Sequence, residues 1–304
     1  MIVRDRPNWL RLLFVWRGSI LPQILPQLLA ALGFAVLVTL VHGQVWRWKV
    51  PLNFVPLSLI GLALAIFLGF RNGTSYSRWW EARVLWGQLL IASRAAVRQA
   101  LTLVDGVQGD ATVLARRLIA LAHALRHQLR GGAVRDDMAR LLPADEAARV
   151  AAARYPAAAL LQMAGEWLGE LRRQGRIAPA LVPALEAQFT HIGDAVGGCE
   201  RLAATPIPFT YGVIIHRTIY LYCLLLPFGL VDSIGSMTPV IVVFVAYTFL
   251  ALEALGSELE EPFGSQANDL PLDALCWTIE TSLLEAMGEH DWPPEPQPHD
   301  YVLT

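Results

Sequence analysis

Gly61-Leu62-Ala63-Leu64-Ala65-Ile66-Phe67-Leu68-Gly69-Phe70 carries no charge, and then meets Arg71-Asn72-Gly73-Thr74-Ser75-Tyr76-Ser77-Arg78-Trp79-Trp80-Glu81-Ala82-Arg83. Taken back to Phe54, the apolar run is long enough to cross a hydrocarbon layer of about 30 Å, which takes about 17–25 helical residues. Leu62, Ile66 and Phe70 recur every four residues and so lie along one stripe of a helix. Gly61, Ala63, Ala65 and Gly69 sit between them, and small residues let neighbouring helices approach closely. The stripe has two readings. It either packs or faces lipid, as any Leu/Ile/Phe-rich span does, or it is one wall of a narrow pore that gates by dewetting. After it, Trp and Tyr read as an interfacial belt, Arg71 as an inside anchor, and Arg78 with Glu81 as an ordinary helical ion pair.

Three more stretches are comparably apolar, residues 20–41, 213–231 and 238–255. Together with 54–70 they make four spans in two hairpins, closed by turns near 42–51 and 232–237. The plan is therefore a cytosolic N-terminal segment 1–19, a first membrane hairpin 20–70, a helical cytosolic domain 71–212, a second hairpin 213–255 and an acidic C-terminal segment 256–304. Composition agrees: of 304 residues 55% are hydrophobic and 16% charged, with a mean hydropathy of +0.43. Soluble domains average about 25% charged residues. Disorder and a disulfide-stapled module are excluded, and 24 basic against 26 acidic residues speak against a nucleic-acid partner. Cys199, Cys223 and Cys276 are too scattered for a disulfide framework or a zinc site. The first apolar run lacks a cleavage site, so it reads as a span rather than a signal peptide.

The near-neutral sum hides an asymmetry. Residues 71–212 hold seventeen Arg against twelve acids, whereas residues 253–304 hold twelve acids and neither Lys nor Arg. Basic residues flank the cytoplasmic side of membrane spans. Arg4, Arg6, Arg11, Arg17 and the Arg-rich 71–212 region therefore place both termini inside the cell membrane, with only Arg47 and Lys49 counting against it. Between the hairpins, Glu81–Val104, Ala111–Arg130, Asp145–Ala153 and Ala157–Gln174 show apolar residues at helical spacing, which predicts an all-α bundle.

Few other features carry chemistry. Thr205-Pro206-Ile207-Pro208-Phe209 breaks a helix before the third span, and His216-Arg217 follow at its edge as a snorkelling pair or a functional one. Glu258–Asp269 offers oxygen ligands without the spacing of an EF-hand, and reads as an acidic turn. His123 and His127, one helical turn apart, read as a surface pair more readily than as metal ligands. No catalytic motif or phosphate-binding loop is present, so an enzyme is disfavoured and no cofactor is expected. A transporter would show inverted repeats and broken helices, whereas the prolines here sit near span ends. A membrane-anchored helical scaffold or sensor is the other alternative.

Taken together, Phe67–Asn72 with Ser77–Arg83, Gly197-Gly198-Cys199-Glu200-Arg201, Thr205–Phe209 and Glu260-Glu261-Pro262-Phe263-Gly264 resemble the bestrophin family of ion channels, its bacterial members above all. The resemblance implies a homopentamer in the inner membrane around one pore, conducting small monovalent ions among membrane lipids. It places the apolar neck on Leu62, Ile66 and Phe70, and points to Ala180 as a cytosolic aperture. Animal members carry an acidic calcium clasp after Pro-Phe-Gly, where this chain reads Ser265-Gln266-Ala267-Asn268-Asp269. With Asp269 as the single carboxylate there, the expectation is no bound metal and no calcium requirement. An uncharged neck does not set the sign of the ion, and the bacterial likeness leans slightly to cations such as sodium over chloride.

Overall fold

The structure, a computed structural model, describes residues 1–4, 8–45, 48–49, 52–106 and 109–304. Arg6 and Arg47, used above for orientation, lie outside the described residues. The chain is built from α1 (Trp9–Leu12), α2 (Leu21–Leu40), α3 (Phe54–Leu103), α4 (Gly109–Arg130), α5 (Arg135–Leu141) and α6 (Ala144–Ala152). There follow α7 (Pro156–Arg173), α8 (Val182–Ala204), α9 (Phe209–Ile234), α10 (Thr238–Glu260) and α11 (Leu272–Ala286). Besides helices, the described residues hold one two-stranded hairpin pairing Gln44 with Lys49, in the turn between the first two spans. Two compact units result. One comprises Arg4–Arg78 with Pro206–Glu261, the other Met1–Val3, Trp79–Thr205 and Pro262–Thr304. We call them the membrane unit and the bundle unit.

In the membrane unit three helical stretches are apolar and long enough to cross a bilayer: Leu21–Leu40, Phe54–Leu103 and Phe209–Glu260. The last folds back at Gly235–Met237, where Gly235 takes a positive φ of 53° that a side chain would resist, so it supplies both α9 and α10. Four membrane helices result, as the hydropathy implies. Their shared core is Ile24, Leu28 and Ala35 of α2, Leu57, Leu64 and Leu68 of α3, and residues such as Ile219, Leu226, Val242 and Ala246 of α9 and α10. Of the glycines in the quoted run only Gly61 is a point of close approach: a Cβ there would meet the Tyr222 hydroxyl at 2.6 Å, whereas nothing lies within 4 Å of Gly69. Ala63 and Ala65 are exposed as well, so the small residues are not a shared packing groove. Pro26 and Pro227 lie inside α2 and α9 rather than beyond their ends. Each removes one ladder hydrogen bond, which membrane helices tolerate when neighbours re-satisfy the carbonyl. Between the turns that close the two hairpins, Lys49 Nζ lies 2.8 Å from Asp232 Oδ1, so one of the two cations counted against the orientation is balanced locally.

The bundle unit is cored by the second half of α3 with α4, α7, α8 and α11. On α3 the buried residues Ala82, Leu85, Trp86, Leu89, Ala92, Ala96, Val97 and Ala100 follow the three-and-four spacing of an amphipathic face. Cys199 and Cys276 are buried, free thiols, and burial pushes Cys199 up to about 12 and raises Cys276 too. The unit boundaries fall after Arg78, Thr205 and Glu261, where hydropathy places them after 70, 212 and 255. After 70 and 255 the reason is that polar side chains just past the apolar run are still bound within the membrane unit, as described below.

His123 and His127 are not a surface pair. His123 is buried, with Nε2 2.8 Å from Glu280 Oε2, and His127 Nε2 lies 2.7 Å from Asp137 Oδ2. Arg140 grips Glu280 through both terminal nitrogens, at 2.5 and 3.0 Å. Arg126 reaches both Asp137 and Asp273 at 2.8 Å, and Arg130 reaches Asp273 at 2.8 Å. This chain of charges fastens α11 to α4 and α5. Glu280 is 1% exposed; burial alone would raise its pKa, but hydrogen bonds from His123 and Arg140 bring it to about 2. Asp137 is lowered chiefly by its bond with His123. Burial opposes charge on His123, yet hydrogen bonds to Asp137 and Glu280 outweigh it and hold its pKa above 6.5. The lowered carboxylates contribute stability above pH 4.5 that is lost as pH falls toward about 2, and protonated His123 contributes below pH 6.5 and ceases to as pH rises through its folded value. In thermal melts of the detergent-solubilised protein, Glu280→Gln should cost about 1–3 kcal/mol, because it removes the buried carboxylate that His123 and the half-exposed Arg140 share. It should also flatten the loss of stability on acidification below pH 4.5. An unchanged acid slope would show that the network does not set it.

Candidate pore segment

On α3 the stripe Leu62, Ile66, Phe70 is 60%, 50% and 67% exposed, whereas Leu57, Leu64 and Leu68 on the opposite face are all but buried. The sequence forms a helix here because sixteen residues after the early Pro56 contain no further proline and only two glycines, and Leu, Ala and Ile favour the helix. The packed face fixes the rotation of α3 within its own unit, and that rotation leaves the stripe outward.

What holds the end of this span is not a snorkelling Arg71. Arg71 is 5% exposed and bonds to α10: Nη2 donates to Ser257 Oγ at 2.8 Å and to Glu260 Oε2 at 3.2 Å, and Nη1 lies 3.7 Å from Glu253 Oε1. Arg78 donates its Nε to the Glu260 carbonyl at 3.1 Å, at the C-terminal end of α10 where carbonyls lack helical partners and a cation is favoured. Arg78 is therefore bound to α10, while Glu81 pairs with Arg201 of α8 in the bundle unit. Asn72 faces Gly256 so closely that a Cβ on Gly256 would collide with it. The hydroxyls of Thr74 and Ser77 do not continue the stripe as free donors, because they bond back to the carbonyls of Phe70 and Gly73 at 3.0 and 2.9 Å.

The remaining expected sites are dispersed. Ala180 is exposed in the 3-10 turn Pro179–Leu181 that leads into α8. His216 is half exposed, 3.4 Å from Glu253, and Arg217 is exposed beside it. Asp269 is buried, and its Oδ2 accepts the Gln266 amide at 2.6 Å, closing the turn that would carry a clasp. Among the described residues no three His, Cys, Asp or Glu come together as a metal site. Sequence reading missed the buried roles of Arg71 and His123; burial of a charge has no local signature when its partner lies far along the chain.

The membrane unit is thus helical throughout its spans, packed through one side of α3 and with an apolar stripe left on the other. A profile described as Bacterial/Fungal Bestrophin protein matches residues 1–285, and the chain belongs to the bestrophin family. It is 46% identical, over the full length of both chains, to a voltage-dependent anion channel-forming protein of Ralstonia nicotianae, and 43% identical, again over both full lengths, to one of Escherichia coli K12. A crystal structure of a bacterial bestrophin homologue from Klebsiella pneumoniae superposes with a TM-score of 0.86 at 41% identity, covering 88% of this chain and 100% of that one.

Because Asp269 is spent on its own turn, calcium chelation should leave ion flux through the reconstituted protein unchanged, as measured with and without a chelator in liposomes. Loss of flux on chelation would mean that a metal site forms from groups that this structure holds apart.

Proposed function

We propose that five copies of this chain assemble in the inner membrane, with both termini cytoplasmic, into a passive channel for small monovalent ions whose neck is formed by Leu62, Ile66 and Phe70. The observation that carries it is the apolar stripe left exposed on a span that packs through Leu57, Gly61, Leu64 and Leu68 on its opposite side. Repeated around an axis, such a stripe makes a constriction without charge or hydrogen-bonding groups, which conducts when it widens and wets. Ala180, a small exposed residue before α8, is proposed as the cytosolic aperture on the family resemblance.

For the sign of the ion we favour anions. The relatives' names point that way, and so do the charges. Of the twelve acids after residue 252, Glu253, Glu260, Asp273, Glu280 and Glu289 are already paired with Arg or His. Meanwhile Arg83, Arg94 and Arg98 share one face of α3, exposed and without a side-chain partner among the described residues.

Purified protein in liposomes under a salt gradient should give a reversal potential at the chloride equilibrium value; a potential at the sodium value would restore the cation reading, and absent flux would leave a scaffold. Replacing Leu62, Ile66 and Phe70 together with Ala should raise conductance severalfold and weaken gating. Unchanged currents would remove the neck from these residues.

A further inference from the structure

A cavity of about 640 Å³ opens within the membrane unit where the spans end, within the range of ligand pockets of about 300–1,000 Å³. Its polar wall is Arg71, His216, Arg217, Glu253, Glu260 and Glu261; its apolar wall includes Ile207, Phe209 and Val213. Two of these polar groups are uncommitted. Arg217 and Glu261 have no side-chain partner among the described residues. A third is buried and incompletely satisfied: Arg71, 5% exposed, leaves Nε and Nη1 without a hydrogen-bond partner. An unmet guanidinium nitrogen away from water is costly, so an acceptor here is expected.

The charges define what that acceptor belongs to. Two guanidinium groups face three carboxylates, so a purely anionic ligand meets as much repulsion as attraction, and a purely cationic one meets Arg71 and Arg217. A ligand carrying both signs satisfies both sets. The position adds the rest. α9 begins at Phe209 and α10 ends at Glu260, so the cavity lies at the level where spans meet headgroups, and Phe209 stands almost fully exposed beside it. We propose that this cavity holds the headgroup of a zwitterionic phospholipid with a primary ammonium, of the phosphatidylethanolamine class. The phosphate meets Arg71 and Arg217, the ammonium meets Glu261 and Glu253, and an acyl chain runs along Ile207, Phe209 and Val213. A primary ammonium donates three hydrogen bonds to carboxylates, and a trimethylammonium none, so ethanolamine is preferred to choline.

The test uses the full-length protein in detergent with an equimolar mixture of phosphatidylethanolamine, phosphatidylglycerol and phosphatidylcholine of matched chains. After gel filtration, native mass spectrometry counts the lipid retained per subunit. The expected result is one retained ethanolamine lipid per subunit, enriched about tenfold over each of the others, a difference of ~1.4 kcal/mol. Arg217→Gln and Glu261→Gln should each bring that enrichment to about twofold or less while the assembly keeps its mass. Equal retention of the three lipids, preference for the glycerol lipid, or no retained lipid would each overturn the proposal. So would enrichment that survives both substitutions. The wild-type preference decides the matter even if a variant fails to assemble, and ion flux plays no part in the readout.

Discussion

Phe54–Leu103 is one continuous helix of fifty residues, and within each unit its packed side determines which side chains are left outward. The helix also has to satisfy two environments. As far as Phe70 its outward side chains are apolar; from Arg71 onward they include Arg83, Arg94 and Arg98. A proline or a paired glycine at the change of solvent would have relieved the constraint by a kink. None is present, and two arginines meet it instead. Arg71 and Arg78, seven residues apart and thus on one face, both bind the end of α10. They use the helix at the place where it leaves the apolar layer, and they satisfy carbonyl and carboxylate groups that the same layer would have stranded.

The charge balance of the chain takes its meaning from contacts of this kind. A wholly acidic final stretch and an Arg-rich middle look, in sequence, like opposed fields. In the folded bundle unit they are partners: Asp273 lies on Arg126 and Arg130, Glu280 on Arg140 and His123, and Glu289 on Arg116. Charges consumed in this way steer no ion.

How much of this was legible in the sequence follows from the range of the interactions. The four spans, their pairing in hairpins and the helical bundle depend on composition and on periods of three to four residues, which a single chain displays openly. The Leu62–Ile66–Phe70 stripe was legible for the same reason, since a four-residue recurrence fixes a face. Which face it is was not, because that depends on Leu64 and Leu68 finding α2, α9 and α10. Arg71 read as an anchor and His123 as a surface residue because each has partners far along the chain: Glu260 is 189 residues from Arg71, and Glu280 is 157 from His123. The small residues erred the other way. Gly61 and Gly69 look equivalent in sequence, yet only Gly61 meets a neighbour, the Tyr222 hydroxyl.

The burial of Cys199 and Cys276 has a practical consequence. A thiol reagent attacks the thiolate, and both groups are withheld from solvent and held protonated far above neutral pH. The bundle unit is thus chemically silent to such reagents without any substitution. A cysteine introduced on the exposed face of α3 would report its own accessibility there, with no need for a cysteine-free background in that unit.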